Sequence, residues 1–157
     1  MINPFIGIHA AVGEAGILAF LWVLVELFNP TAQRIIRSKI AALVGTILIF
    51  SSWILGGYYY VVFYGSLVKP TIKAGPMPWA HSIIMETKEH LFLFLPFLAL
   101  LALGLIYHYK EELLINKRAK IFIVLVCGII ILIGLSIAGM GYIVSAGFRS
   151  ALESKGL

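Results

Sequence analysis

The chain has 157 residues, of which 61% are hydrophobic and only 12% are charged, and its mean hydropathy is +1.02. Because soluble domains are about 45–50% apolar and about 25% charged, this composition excludes an ordinary soluble domain. It favours a single transmembrane domain over residues 1–157. The net charge of +5 comes from basic residues that cluster between apolar runs, a distribution that indicates membrane topology and no nucleic-acid partner. The lone Cys127 excludes a disulfide framework.

Four apolar runs are long enough to cross a bilayer, which takes about 20 mostly apolar residues in a helix. They lie at about residues 4–28, 40–64, 90–109 and 121–146. Helices are expected, because backbone groups in lipid must form hydrogen bonds within their own segment. The sequence therefore predicts an all-α fold, an integral membrane four-helix bundle.

Prolines mark the expected interruptions of these helices. The Asn29-Pro30 pair should end the first helix, and the Lys69-Pro70 pair should follow the end of the second. Pro96 lies inside the third run. It predicts a kink there, since proline removes a backbone donor and crowds the preceding turn.

The basic residues predict the orientation of the chain. The loops at 29–39 and 110–120 carry seven Lys and Arg residues, against five on the opposite side. By the positive-inside rule these two loops should be cytoplasmic, with both termini and residues 65–89 outside. The expected location is a prokaryotic cell membrane, with the lipid bilayer as the first partner.

An internal repeat is suggested by two shifts of the sequence. A shift of 81 places His9 on His90, and a shift of 83 places Gly56 on Gly139 and Tyr59 on Tyr142. The pattern favours two similar transmembrane hairpins related by a pseudo-twofold axis, with chance similarity between apolar helices as the alternative.

Histidines near the outer ends of the first and third runs suggest a cofactor. Two imidazoles from facing helices can occupy both axial positions of a haem, and glycines on the other two helices would let the macrocycle approach their backbones. The candidate metal ligands are His9 and His90. The other candidate cofactor-binding residues are Gly56, Gly57, Gly139, Gly141, Tyr59 and Tyr142.

Two further candidate sites involve carboxylates. Glu14 lies about one turn from His9 and is the deepest carboxyl in the chain. It is a candidate for proton handling, with a protonated acid bonded to nearby backbone as the alternative. His81, Glu86 and His90 could form a non-haem metal site of nitrogen and oxygen ligands. Histidine at a membrane interface and glycine in transmembrane helices also have purely structural roles.

With His9 and His90 opening the odd helices and Gly56, Gly57, Gly139 and Gly141 late in the even ones, the chain resembles small bacterial four-helix membrane proteins of undefined function. More loosely, it resembles the four-helix b-type cytochromes. The second resemblance implies haem b ligation by His9 and His90, and electron exchange with quinone or a c-type cytochrome. The chain departs from two-haem members because it lacks a second histidine pair; His108 is too far from His90.

The resulting functional hypothesis is a membrane b-type cytochrome with one bis-histidine haem near the outer leaflet, as an electron-transfer subunit of a respiratory complex. The alternative is a non-catalytic scaffold or accessory subunit that packs against other membrane subunits or forms a homo-oligomer. A proton-coupled transporter that uses Glu14 is the third hypothesis. No nucleophile–base pair, phosphate loop or zinc signature is present, so nothing suggests a hydrolase or transferase.

Overall fold

The computed structural model describes residues 4–156 as four long helices joined by short connections. The helices are α1 (Pro4–Phe28), α2 (Ala32–Lys73), α3 (Ala80–Leu114) and α4 (Lys117–Glu153). Each is long enough and apolar enough to span a membrane, and residues 4–156 contain no strand. The prediction of an all-α fold with four long apolar helices is confirmed.

The first helix has the predicted bounds. It ends at Phe28, because Pro30 lacks an N–H donor and restricts the backbone of the residue before it. The next helix begins after Thr31, whose hydroxyl accepts a hydrogen bond from the Arg34 backbone N–H at 3.3 Å. Capping of this kind satisfies one of the free donors at a helix start.

Helix α2 begins at Ala32, before the predicted start at residue 40, and extends beyond the predicted end at residue 64. Its segment Tyr60–Val68 is π-helical, and a last α-helical segment, Lys69–Lys73, follows. The Lys69-Pro70 pair does not end the helix as predicted, because Pro70 lies in the first turn of this new segment. The Lys69 N–H still bonds to the Tyr64 carbonyl, so the helix continues through Pro70 although proline supplies no donor.

Helix α3 begins well before residue 90, with a π-helical segment at Ala80–Met85. Its α-helical course is interrupted at Leu93, near the kink expected from Pro96. The interruption has a local cause, since Pro96 has no N–H to donate to the carbonyl of Phe92 four residues earlier. Because α2 ends later and α3 begins earlier than predicted, the long outer loop predicted at 65–89 is reduced to residues 74–79. Helix α4 also extends past both predicted ends.

The helices form an antiparallel ring in which α1 packs against α2 and α4, and α3 packs against the same two helices. A continuous apolar core fills the half of the bundle that holds the connections at 29–31 and 115–116, and we name this the closed half. Its fully buried members are Phe20, Val23, Leu27, Ala42, Ala99, Ala102, Ile106, Ile123, Cys127 and Ile130.

The opposite half, named the cavity half, contains a smaller group of buried side chains at its end. This end cluster consists of Tyr64, Val68, Ile72, Ala80 and Val144. Between the end cluster and the core of the closed half the four helices do not fill the space with side chains.

An ion pair between a buried carboxylate and two partly exposed arginines ties α1 to α2 in the closed half. The Glu26 carboxylate accepts hydrogen bonds from Arg37 Nε at 2.7 Å and from Trp22 Nε1 at 2.9 Å. Arg34 Nε lies 3.1 Å from the second carboxylate oxygen. Charge-assisted bonds of this kind are stronger than neutral ones, so they fix the register of the first hairpin.

Candidate functional site

A cavity of about 460 Å³ lies between the closed-half core and the end cluster. All four helices contribute to its walls, which are mainly apolar and aromatic, with Ile17, Phe92, Leu95 and Ile137 among them. Small-molecule sites in proteins usually have volumes of about 300–1,000 Å³ and this kind of lining. The cavity is therefore large enough for one small organic molecule.

The exposed members of the lining show where the cavity opens. They are Ala10 and Glu14 on α1, Leu67 on α2, and Tyr142 and Arg149 on α4. These residues place the opening on the α1 side of the bundle, between α2 and α4. Glu14, the predicted proton-handling residue, thus lies at the mouth of the cavity with an exposed side chain.

His9 lines the cavity and is held against α2 by Ser52. Its Nδ1 lies 2.8 Å from the Ser52 carbonyl oxygen and 3.0 Å from the Ser52 hydroxyl, which donates to the His9 carbonyl at 3.1 Å. Because a carbonyl only accepts, Nδ1 carries the proton in this bond, and Nε2 is the ring atom left for a ligand. Gly56 makes room for the ring, since a Cβ at this position would lie only 2.6 Å from His9 Cε1.

His90 does not line the cavity. Its ring is exposed and donates from Nδ1 to the Glu86 carbonyl of its own helix at 2.6 Å. It lies in a shallow depression on the outside of α3. The structure therefore does not bring the two predicted haem ligands together, because the inward face of α3 at this level carries Lys88 and Phe92 instead.

The other residues of the predicted haem set divide in the same way. Gly141, Tyr59 and Tyr142 line the cavity, as does Gly56. Gly57 and Gly139 are exposed, and no atom lies within 4 Å of the position that a Cβ would occupy at either. Both glycines therefore lie away from the cavity, on the outer surface of the bundle.

Lys88 is the site residue that the sequence analysis missed. Its side chain lines the cavity and reaches from α3 to α4, where Nζ is 3.7 Å from the position of a Cβ at Gly141. Within residues 4–156 its ammonium forms neither an ion pair nor a hydrogen bond. Lys88, Phe92 and Leu95 stand at i, i+4 and i+7, a spacing that places all three on one helix face. This spacing was the sequence signal that could have placed Lys88 in the site.

The predicted metal site at His81, Glu86 and His90 does not form. His81 is buried against Tyr64 of the end cluster, and its Nδ1 lies 3.0 Å from the Tyr64 hydroxyl. This contact links the two π-helical segments. Glu86 and His90, in contrast, are exposed. In the described part of the chain no group of three or more His, Cys, Asp or Glu side chains could hold a metal ion. The prediction is wrong because the π-helical start of α3 turns His81 toward α2.

The fold and its cavity define the class of the protein, a bundle of four helices long and apolar enough to cross a membrane, with a partly polar cavity in one half. No family model matches this chain, and comparison with curated proteins and with solved structures finds no similar protein. The chemistry of the cavity is therefore the basis for a functional assignment.

Proposed function

We propose that this protein is an integral membrane protein that binds a lipid-soluble molecule in the cavity. Its outer surface supports membrane insertion, because large apolar side chains are exposed on every helix. Leu18 on α1, Ile54 on α2, Phe97 on α3 and Leu132 on α4 are each more than 60% exposed. Contiguous apolar surface of this extent is unfavourable in water and suits a bilayer. The basic loops then favour the orientation predicted above.

The observation that carries the binding function is the cavity with its opening to the side. On α2, apolar side chains remain exposed beyond the level at which α1 begins. They include Val61, Val62 and Leu67, and Leu67 lies at the mouth of the cavity. The mouth would therefore face lipid, and a ligand would enter from the bilayer. Apolar walls with a few polar groups at fixed positions are typical of ligand sites, where the polar groups orient the bound molecule.

Two neighbouring glycines on α4 provide a matched test. Gly141 lines the cavity, whereas Gly139 is exposed. The protein in lipid nanodiscs is titrated with pyrenedodecanol, and binding is followed as saturable energy transfer from tryptophan to pyrene. We expect the wild type and Gly139→Leu to bind alike, and Gly141→Leu, whose side chain fills the cavity, to bind about tenfold more weakly or worse. Equal binding by all three proteins, or no saturable binding, would reject the proposal.

The b-type cytochrome is the second candidate, and one observation favours it. Fixing Nδ1 of a histidine by a backbone carbonyl is how proteins orient metal-ligating imidazoles, and His9 is held in this way. His9 would be the residue to hold haem b in the cavity, while the exposed His90 does not fit the second axial position in this geometry. Electron exchange with quinone or a c-type cytochrome stays a prediction, as do the scaffold and transporter alternatives.

An absorption spectrum tests this second candidate. After haem-replete expression, the cytochrome hypothesis requires a Soret band in the purified protein. If haem binds in the cavity, His9→Ala should abolish the band and His90→Ala should leave it in place. A colourless wild type would count against any haem at this site.

A further inference from the structure

The ammonium of Lys88 is the one cation inside the cavity walls among the described residues; Arg149, the other basic lining residue, is exposed at the mouth. An ammonium in apolar surroundings is unfavourable unless an anion or hydrogen-bond acceptors compensate it. Lys88 has no ion-pair or hydrogen-bond partner within residues 4–156. An anionic group on the ligand would supply it.

Two glutamates are the alternative partners for this ammonium. Glu14 lies across the cavity at its mouth, and Glu89 is the next residue on α3. Neither carboxylate forms an ion pair with Lys88, and Glu89 does not line the cavity. Glu89 attracts the Lys88 ammonium through its charge, but neither carboxylate pairs with it directly, so the ammonium stays available to an anionic group in the cavity.

The imidazole of His9 adjoins the same stretch of the cavity. Its ring centroid lies 6.5 Å from that of Phe92, and Phe92 lies one helical turn from Lys88 on the same face of α3. His9 and Lys88 therefore lie on opposite walls of the cavity, about one helical turn apart along the axis of the bundle. A group bound between them would meet an ammonium on one side and an imidazole on the other.

Resting on the binding function proposed above, we infer that the ligand is a single-chain amphiphile with a carboxylate head group, such as a fatty acid, which pairs with Lys88. Lys88 is the one cation in the interior of the cavity, so a singly charged head group matches it, whereas a doubly charged phosphate monoester would leave one negative charge there without a partner. Arg149 is not part of this pairing, because it lies at the mouth with its guanidinium carbon 6.0 Å from the centre of the Tyr142 ring. The apolar walls formed by Ile17, Leu95 and Ile137 would contact the alkyl chain.

The test compares probes that differ only in the head group. Pyrenedodecanoic acid, pyrenedodecanol and the corresponding pyrene-labelled alkyl phosphate are titrated against the wild type in nanodiscs, at a pH where the carboxylic acid is ionised. We expect the acid to bind about tenfold more tightly than the alcohol, or better still, and more tightly than the phosphate. Equal binding of acid and alcohol, or preference for the phosphate, overturns the inference while leaving the binding function intact.

Variants of Lys88 identify the residue responsible. Lys88→Met should remove the preference for the acid while keeping the affinity for the alcohol, which also shows that the variant is folded. Lys88→Arg should restore the preference, and Lys73→Met, an exposed lysine outside the cavity, should not change it. A preference for the acid that survives in Lys88→Met overturns the role of Lys88. Loss of all probe binding in the wild type would instead reject the binding function.

Discussion

The closed half and the cavity half are built from the same apolar residue types but are packed differently. In the closed half small residues lie opposite large ones, as where Gly45 of α2 meets the Phe20 ring of α1. In the cavity half α2 and α3 both become π-helical, and Gly141 has only the end of the Lys88 side chain near it. Interdigitation of small and large side chains accounts for the close packing of the closed half. In the cavity half such contacts are local, as between Gly56 and the His9 ring, and the space left between the helices, with polar groups on its walls, is the basis of the proposed binding function.

The largest effect should come from removing a large side chain in the closed half. Phe20 is fully buried, so Phe20→Ala should lower the free energy of unfolding by roughly 3 kcal/mol. This value is the lower end of the range for such changes, because in the proposed bilayer lipid would solvate the apolar groups outside the core. Unfolding in mixed micelles measures it. Phe97, which is 66% exposed, provides the control, and Phe97→Ala should have little effect. Equal losses would show that the closed half is not tightly packed.

Adding the same side chain to each half gives the sharpest contrast. A Cβ at Gly45 would lie 2.9 Å from a carbon of the Phe20 ring and 3.1 Å from the Ala19 Cβ. Gly45→Leu should therefore cost about 2 kcal/mol through overpacking. Gly141→Leu should leave stability close to that of the wild type, because the cavity has room for it. Stability loss of the same size in both variants would contradict the existence of an open cavity.

A smaller effect is expected where His9 is held in place. Ser52→Ala removes a hydroxyl that contacts both the His9 ring and its backbone carbonyl, and should lower stability by about 1 kcal/mol. Ser136 is a matched control, since its exposed hydroxyl bonds only to the Leu132 carbonyl of its own helix at 2.8 Å. Ser136→Ala should be nearly neutral. If the two variants unfold alike, the Ser52 contacts do not stabilise the bundle.

Much of the fold was predictable because length and hydropathy decide it. Four apolar runs predict four helices, and proline chemistry places the end of α1 before Pro30 and the interruption of α3 near Pro96. The lengths of α2, α3 and α4 were underestimated because polar and charged residues near their ends were interpreted as loops. In the sequence, Lys69-Pro70 is compatible with either the end of a helix or the first turn of a new helical segment. The π-helical segment that precedes it in the structure shows that it lies in a first turn.

The candidate site was predictable only in part, because helical phase controls which side chain faces inward. On α3, Lys88 and His90 are two residues apart, which is about 200° around a helix, so only one of them can line the cavity. A π-helical turn holds more residues than an α-helical one, and the segment at Ala80–Met85 thereby shifts the phase of the residues before Glu86. With apolar residues on every face of α3, the sequence offers little to fix the phase. Tertiary contact with α4 selects Lys88.

Photolabelling tests the existence of an occupied cavity most directly. A dodecanoic acid carrying a diazirine is bound to the protein in nanodiscs and photoactivated, and the labelled peptides are identified by mass spectrometry. We predict labelling of cavity residues within 85–95 and 137–149, suppressed by excess dodecanoic acid and lost in Gly141→Leu but not in Gly139→Leu. Labelling spread over exposed residues of the outer surface such as Phe97 and Leu132, and unaffected by competitor, would contradict a ligand-binding cavity.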